Sequence, residues 1–443
     1  MFDVADPAVW IALDEAVRHR VRSSADGTWQ RTEQGRTPTD TQLALALCQR
    51  DGRIRERALG EVAGRPELLP LVVIRCADWA EPVRDRARTR WAEAVTVETA
   101  AALAPLALRI GIRYRGDFAV GLIDKVLRSA DREALLPLLT HADRTVRRFA
   151  HRLAVEEGFL SPAELARSAA RDEDTVVQGL CAEAALAALA EGDADDDVLE
   201  PLLAARNPRV RSAGVTALRR AGRGERAVGF LGDRAAVVRA CARYVVRRSG
   251  GEPVEWYRRR CAEAGDAALS AGVVSGLAEC GDRSDAEVLW ALTSYPDPVV
   301  RARAVGGLRA LDVLDVRRLR ALLDDPAPGV VREATLALVP SARMLDDGWL
   351  LERLAVKRAR ETRVSAFRLL SAHGGLVRLR AAVALVDDPD DRLRNWARQS
   401  VLRWHPTADV PPGSAEVGEL LERARLFDAY RLKRLKWEAG LRA

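Results

Sequence analysis

The sequence lacks several features that mark common classes of protein. No apolar run approaches the ~18 residues that a membrane-spanning helix requires. The six cysteines show neither Cys-x-x-Cys nor histidine-paired spacing, which argues against a disulfide framework and against a zinc site. The first ten residues contain two aspartates and no basic stretch before an apolar core, so they predict no secretory signal. We therefore expect a reduced, cytoplasmic protein.

Lysine is also scarce. Only four of the 70 basic residues are lysines, and the other 66 are arginines. Together with abundant alanine, glycine and valine, this skew is what a GC-rich genome produces. The formal net charge of +6 therefore indicates a nucleic-acid partner only if the arginines cluster on one surface.

What the sequence does contain is one phrase that recurs along the chain. It places aspartate and proline at a turn, then valine and arginine, then alanine three residues after the arginine, as in "DPVVRARA" at 297–304. Copies align on arginines spaced by about 31 residues or by multiples of that spacing: Arg55, Arg84, Arg147, Arg211, Arg239, Arg301, Arg332 and Arg394. Degenerate copies fill the wider gaps, which gives about twelve repeats.

Each repeat contains two helical patterns. In the second helix of the repeat at 297–308, Val300, Ala304 and Leu308 recur at every fourth position, as on the buried stripe of a helix. Capping boxes at Ser161–Glu164 and Ser284–Glu287 predict the starts of first helices. Strand-type alternation is absent from the sequence, so we predict an all-α chain.

A helix pair whose second helix begins with D-P-x-V-R-x-x-A resembles the HEAT-repeat family, in its short bacterial form. The resemblance implies a right-handed α-solenoid of about twelve HEAT-like helix pairs, with the second helices on its concave wall. It implies three segments: an N-terminal cap helix and loop (1–40), the solenoid (41–405), and a linker with one long C-terminal cap helix (406–443). We expect Trp10 and Leu13 on the apolar side of the first cap helix, and Trp29 of the loop folded onto the first repeats. The alternative is that Trp29 anchors a partner.

In the HEAT-repeat family, the turn aspartate and the arginine after the valine form a ladder between successive repeats. The resemblance assigns this role to Asp51, Arg55, Asp143, Arg147, Arg211, Asp297, Arg301, Arg332, Asp390 and Arg394. Three residues depart from the aspartate position and predict interruptions: Ala80, Ala235 and Pro328. Aspartates lie close to each of them, at Asp78, Asp233 and Asp325. The alternative is that these arginines only solvate a helix surface.

Motifs for catalysis are missing from the sequence. The five histidines have no nucleophile or carboxylate at a recognisable spacing, and neither a phosphate-binding loop nor an HExxH motif occurs. Among HEAT-like proteins, bilin lyases and alkylpurine DNA glycosylases are enzymes, and the glycosylases use tryptophans, an aspartate and arginines. Trp10 and Asp14 resemble part of that set but lie in the terminal helix. We therefore expect no catalytic residues, metal or cofactor.

The basic residues are concentrated in one stretch. Residues 206–260 hold fifteen arginines against four acidic residues. Helical spacing predicts two rows on second helices facing the concave wall, one of Arg148 and Arg152, the other of Arg239, Arg243 and Arg247. Such rows suit a phosphate backbone or an acidic peptide. The alternative is a solvated face that only forms the ladder.

These observations favour a non-catalytic HEAT-repeat scaffold that binds a protein partner through its concave face. Nucleic-acid binding through the 206–260 patch is the first alternative, and a HEAT-like-repeat DNA glycosylase is the second. We expect neither a membrane nor a small-molecule cofactor as a partner.

The ladder hypothesis predicts that Arg301→Ala destabilises the protein more than Arg303→Ala. The difference should be on the order of 1–3 kcal/mol, because only Arg301 is expected to bond buried turn groups. Urea denaturation of both variants measures it. Equal midpoints for the two variants would count against the ladder role of Arg301.

Overall fold

The computed structural model describes residues 6–20, 37–190, 195–263 and 269–441. These residues form helices joined by short turns, and no strand occurs among them. The predicted all-α class is confirmed for this part of the chain. No helix within the described ranges is both long and apolar enough to cross a bilayer. Trp29 and most of its predicted loop lie outside the described residues.

Contacts divide the chain into two compact units, Met1–Gly222 and Arg223–Ala443. The α-helices of the N-terminal unit are α1 Pro7–Arg20, α2 Asp40–Leu47, α3 Gly52–Ala58, α4 Leu69–Arg75, α5 Glu81–Ala94, α6 Val97–Gly111, α7 Asp117–Arg128, α8 Leu136–Leu139, α9 Arg144–Glu156, α10 Pro162–Arg171, α11 Thr175–Ala187, α12 Asp196–Leu203 and α13 Pro208–Arg220. Its short 3-10 helices are Pro66–Leu68 and Arg132–Ala134.

The C-terminal unit continues the same pattern. Its α-helices are α14 Ala236–Arg248, α15 Pro253–Ala262, α16 Ala271–Cys280, α17 Ala286–Leu292, α18 Pro298–Ala310, α19 Val316–Ala321, α20 Pro328–Leu338, α21 Asp347–Glu352, α22 Arg360–His373, α23 Gly375–Ala384, α24 Asp391–Leu402, α25 Ala415–Ala424 and α26 Ala429–Glu438. Its 3-10 helices are Gly224–Phe230, Arg283–Asp285, Leu322–Asp324 and Val339–Met344.

Helices in each unit pack on their neighbours in the chain and on the helix two positions further along. In the N-terminal unit α11 contacts α9, α10 and α13, and in the C-terminal unit α18 contacts α16, α17 and α20. Gly307 permits one close approach, because a Cβ at this position would lie 3.0 Å from the Cβ of Ala278 on α16. This nearest-neighbour stacking makes each unit a HEAT-like α-solenoid.

The buried stripe of α18 follows from its sequence. Val300, Ala304 and Leu308 are fully buried, as their spacing predicts. Asp297 is the N-cap residue of α18, and its side chain accepts a hydrogen bond from the backbone N–H of Val299 at 2.8 Å. Each second helix therefore presents one apolar stripe to the core and leaves the opposite side exposed.

Two of the predicted helix starts have different outcomes. The capping box of Ser161 and Glu164 is confirmed at the start of α10. The prediction of a capping box at Ser284 and Glu287 is wrong. Asp282 and Asp285 form the capping box instead, at the start of the 3-10 helix Arg283–Asp285. An aspartate side chain reaches the same backbone N–H groups as serine, and Asp282 precedes Ser284 in the chain.

The terminal helices also differ in part from their predicted form. At the N-terminus, Trp10 and Val17 are buried and Leu13 is half-buried, and α1 packs on α4 and α6. At the C-terminus, the prediction of a single long helix is wrong. Arg425 adopts a left-handed conformation (φ 52°), which ends α25, and a new helix, α26, begins at Ala429.

Buried or partly buried arginines link successive helix pairs. Arg55 donates from Nε and Nη2 to the two carboxylate oxygens of Asp78, at 2.9 and 2.8 Å. Its Nη1 donates to the backbone oxygens of Gln49 and Arg50, both at 2.7 Å. Because Asp78 lies in the turn of the next pair, one guanidinium satisfies carbonyls of its own turn and crosses to the following repeat. We call this arrangement a rung.

Arg147 and Arg301 form the same rung. Arg147 donates to Asp172 at 3.0 and 3.2 Å, and Arg301 donates to Asp325 at 2.9 Å through both nitrogens. Each Nη1 also donates to two carbonyls of its own turn, at 2.8–3.0 Å. Arg363 also pairs with the following Asp388, but through Nη2 alone, and its Nε donates to the backbone oxygen of Leu354 at 3.0 Å.

The carboxylate of the rung is not the one that the sequence predicted. Asp51, Asp143 and Asp297, four residues before the arginines, each cap their own helix by accepting a backbone N–H at 2.8 Å. The rung carboxylates instead lie two residues before the next N-cap residue. Each also accepts the N–H of that N-cap residue, as Asp325 does from Ala327 at 2.7 Å. Asp78 and Asp325 therefore complete rungs at two places where the sequence predicted that the ladder is interrupted.

Two predicted ladder arginines lie elsewhere. In α20 the position equivalent to Arg301 is Val331, which is buried, whereas the Arg332 side chain is 66% exposed and contacts Glu333. The sequence alignment on Arg332 was shifted by one residue. Arg394 does not reach a following carboxylate but bonds Asp391 of its own helix. Asp390 caps α24 and also accepts a hydrogen bond from Arg360 at 2.6 Å.

One rung is neutral. Gln178 occupies the arginine position of α11, donates to the backbone oxygen of Asp172 and accepts a hydrogen bond from the Asn207 side chain. Asn207 simultaneously caps α13 by accepting the N–H of Arg209 at 2.9 Å. In the same repeat, Arg211 donates to the backbone oxygens of Ala205 and Arg206 at 2.7 and 3.0 Å. An amide pair therefore links the two repeats at this point of the ladder, with the N-cap residue Asn207 as the partner in place of a carboxylate two residues earlier.

We expect Asn207→Asp to destabilise the protein by on the order of 1 kcal/mol, although aspartate caps helices as well as asparagine does. The carboxylate of an aspartate at position 207 cannot donate a hydrogen bond to Oε1 of Gln178. The two oxygens would then face each other as acceptors without a donor between them. Urea denaturation measures the change, with Asp297→Asn as the matched control. Equal losses of stability in the two variants would contradict the neutral rung.

Candidate partner-binding face

The first predicted basic row is neutralised by carboxylates from neighbouring repeats. Arg148 donates to both carboxylate oxygens of Asp174, at 2.9 and 2.8 Å. Arg152 donates to Asp124 at 3.2 Å, and its guanidinium lies 5.6 Å from the ring centroid of Phe149. The row therefore links three repeats and carries little uncompensated charge.

The second predicted row is divided between structural and exposed arginines. Arg239 is buried and donates to Glu279 on α16 through Nε and Nη2. Arg243 donates to the same carboxylate at 2.8 Å. Arg247 is exposed, and no hydrogen bond or ion pair holds its side chain within the described part of the chain. Of the five predicted binding arginines, Arg247 alone is thus left to face solvent without a carboxylate among the described residues.

The arginine-rich stretch 206–260 belongs partly to each of the two units. In the C-terminal unit, Arg258 donates to Asp285 and to Glu255, both at 2.7 Å. Its third acidic neighbour, Asp282, accepts a hydrogen bond at 3.3 Å. Asp282, Asp285 and Glu279 lie beyond residue 260 in the sequence. The charge count over 206–260 therefore left out the carboxylates that pair with Arg239, Arg243 and Arg258 in the C-terminal unit.

The glycosylase-like pair at the N-terminus is part of the core. Trp10 and Asp14 are both buried, and Asp14 pairs with Arg18 at 3.1 Å and with the buried Arg75. Burial raises the pKa of the Asp14 carboxyl. Arg75 also pairs with the rung carboxylate Asp78 at 3.1 Å. Asp14 therefore connects the terminal helix to the first rung.

Nucleophilic and metal-binding groups are few among the described residues. All six cysteines are free thiols. Burial raises the pKa of the Cys76, Cys181 and Cys261 thiols to about 12, so these three stay protonated and unreactive at neutral pH. Within the described ranges, no group of three His, Cys, Asp or Glu side chains is placed to hold a metal ion.

The structure shows a surface that the sequence prediction missed. Three adjoining depressions run across the exposed sides of α18, α20, α22 and α24 in the C-terminal unit. They are contiguous because Pro328 and Arg332 line two of them, and Arg360, Val364 and Arg368 line the next two. We call this surface the arginine groove.

Five arginines and two glutamates line the arginine groove: Arg303, Arg332, Arg360, Arg368, Arg392, Glu333 and Glu361. Arg332 and Arg360 are paired with Glu333 and Asp390. The side chains of Arg303 and Arg392 are exposed and have no hydrogen-bond or ion-pair partner among the described residues. The groove therefore has a net positive lining with unbalanced charge at both ends.

The groove also has exposed apolar groups. Val299 is 53% exposed, and Val364 and Trp396 are partly exposed. The Trp396 ring packs edge-on against buried Phe367, with centroids 4.6 Å apart. The Arg368 guanidinium lies 5.9 Å from the Trp396 ring centroid. Trp396 is thus fixed on one side by the core and open to solvent on the other.

A signal for this groove exists in the sequence. Arg303 and Trp396 are the sixth residues after their N-cap residues, and Arg332 and Val364 are the fifth. These positions lie on the same turn of four successive second helices. Aligning the repeats on their N-caps, rather than counting charge along the chain, would have brought them together.

No protein-family profile matches the chain, and no curated protein matches it. Crystal structures of Kap121p are similar to it at low identity. For Kap121p bound to Nup53p the TM-score is 0.35 at 13% identity, covering 91% of this chain and 50% of Kap121p. For the karyopherin Kap121p bound to the SUMO protease Ulp1p the values are 0.34, 12%, 91% and 50%. The chain spans about half the length of these structures.

The pair of Arg148 and Asp174 predicts a pH dependence of stability. The Arg148 guanidinium lowers the pKa of Asp174 to about 2. Because an unfolded aspartate titrates near ~3.9, the pair stabilises the fold fully above about pH 4, and this contribution is lost as the pH falls toward 2. We expect the difference in unfolding free energy between wild type and Asp174→Asn to shrink across this window. Asparagine preserves the helix cap.

Urea denaturation at several pH values measures this difference. Arg148→Gln is the matched background, in which Asp174→Asn should produce a much smaller pH-dependent change. A difference between wild type and Asp174→Asn that stays constant down to about pH 2 would contradict the role of the pair.

Proposed function

We propose that this protein is a non-catalytic HEAT-like scaffold that binds a segment of a protein partner along the exposed sides of its second helices. The arginine groove is the observation that carries the proposal. It combines apolar groups open to solvent with arginines that lack counter-ions, which is the composition of protein-binding surfaces. The groove crosses four successive repeats, so an extended chain could contact all of them.

The other functions considered from the sequence have less support. A phosphate-binding surface at 206–260 is weakened because Arg239, Arg243 and Arg258 are held by carboxylates. A glycosylase site at Trp10 and Asp14 is weakened because both side chains are buried. The free, buried thiols suit a reducing compartment, and we propose that the protein acts in the cytoplasm.

Selection from a random peptide library tests this proposal. Peptides of about twelve residues are long enough to cross four helix layers in an extended conformation. We expect the full chain to select peptides that bind roughly tenfold more weakly to Arg303→Glu and to Arg392→Glu, because each change reverses an unpaired charge in the groove. The matched control is Arg144→Glu, an exposed arginine of α9 in the N-terminal unit.

Circular dichroism of each variant checks that the fold is unchanged. Selected peptides that bind all three variants as tightly as wild type would place the binding site elsewhere. If no peptide is enriched, while mixed-sequence DNA binds tightly at physiological salt, the nucleic-acid alternative would replace the proposal.

A further inference from the structure

We infer that the arginine groove recognises an acidic protein segment that carries an apolar anchor, with the carboxylates at one end of the groove and the anchor at the other. This inference rests on the proposed function and specifies the chemistry of the partner. It follows from how charge and apolar surface are distributed over α18, α20, α22 and α24.

The end of the groove formed by α18 and α20 is suited to carboxylates. Arg303 has no partner within the described part of the chain, and the Arg332 side chain is 66% exposed. Glu333, which lines the same depression as both arginines, is already shared between Arg332 at 3.1 Å and Arg309 at 3.4 Å. Two further carboxylates would complete this cluster through charge-assisted hydrogen bonds, which arginine forms with planar, bidentate geometry.

The end formed by α22 and α24 is suited to an apolar side chain. Val364 and Trp396 line the same depression, and Trp396 is held in place by Phe367. The guanidiniums of Arg368 and Arg392 border this depression. An aliphatic or aromatic side chain placed there would bury the open face of Trp396, and an indole fixed by the core loses little entropy on binding.

The spacing of the helices sets the spacing of the partner residues. Packed helices lie about 8–10 Å apart, and an extended chain advances about 3.3 Å per residue. One helix layer therefore corresponds to about three residues of the partner. The expected segment has two acidic residues three positions apart, followed after about three to six positions by the apolar anchor, in either chain direction.

A nucleic acid fits the same surface less well. Glu333 and Glu361 in the lining repel a phosphate backbone, and Trp396 offers a single ring for stacking. A phosphate track would need arginines without carboxylates between them across all four helices.

Fluorescence anisotropy with designed peptides tests the inference. The probe has two glutamates three residues apart and a leucine four residues further on, and a second probe has the reversed order. One control peptide has the same composition with the two glutamates adjacent. Another control peptide has glutamine in place of both glutamates. We expect one probe to bind the full chain at least roughly tenfold more tightly than its controls, as the loss of a charge-assisted bond implies.

Charge swaps identify the contacts. Arg303→Glu should weaken binding of the glutamate probe by roughly tenfold. Replacing one glutamate of the probe by arginine should restore binding to that variant. Val364→Asp should weaken the binding of every probe that carries leucine, whereas Arg144→Glu should leave the affinity of each probe unchanged. A fluorescently labelled single-stranded DNA of mixed sequence serves as the competing ligand.

The outcomes separate the inference from the proposed function. Probes and controls that bind equally would overturn the spacing, and tight DNA binding that depends on Arg303 at physiological salt would overturn the acidic-segment partner. If library peptides depend on the groove but are not acidic, the inference fails and the proposed function stands. If no peptide depends on the groove, both fail.

Discussion

The fold depends on one interaction, the rung between a largely buried arginine of one helix pair and a carboxylate in the turn of the next. Arg55, Arg147 and Arg301 each bind both oxygens of a following aspartate and two carbonyls of their own turn. The aspartate in turn accepts the N–H of the next N-cap residue. A guanidinium buried without this set of acceptors would be strongly destabilising. The rung therefore sets the register in which these helix pairs stack on their neighbours.

The arginine positions and the all-α class could be predicted because both depend on local sequence spacing. The rung carboxylate could not, because some turns carry an aspartate at the N-cap position and others carry it two residues earlier, and only the geometry of the cap distinguishes the two positions. Asp51 begins a helix, whereas Asp78 closes the turn before one, and both have the composition of a turn residue. Arg332 was misassigned for a related reason, since the repeat at 325–334 carries valine at the rung position and arginine one residue later.

The binding surface shows a similar limit. Charge counted along the sequence identified 206–260, but Arg239 meets Glu279 forty residues further along the chain, and that pairing removes its charge from the surface. The arginine groove has an ordinary balance of charge in sequence, yet Arg303 and Arg392 are left without partners among the described residues because their helices turn these positions outward. Which charges remain available to a partner is thus decided by pairing between repeats, and pairing follows only from the three-dimensional stack.

The neutral rung of Gln178 and Asn207 bears on how such a repeat array can evolve. An arginine changed alone leaves an uncompensated buried carboxylate, and a carboxylate changed alone leaves an uncompensated buried arginine. Each intermediate is less stable than either matched pair, so drift between the two kinds of rung passes through a selectively disfavoured state. The two partners of a rung, which belong to successive repeats, should therefore be substituted together in related sequences, and repeats that arose by duplication will retain their arginines long after their exposed faces have diverged.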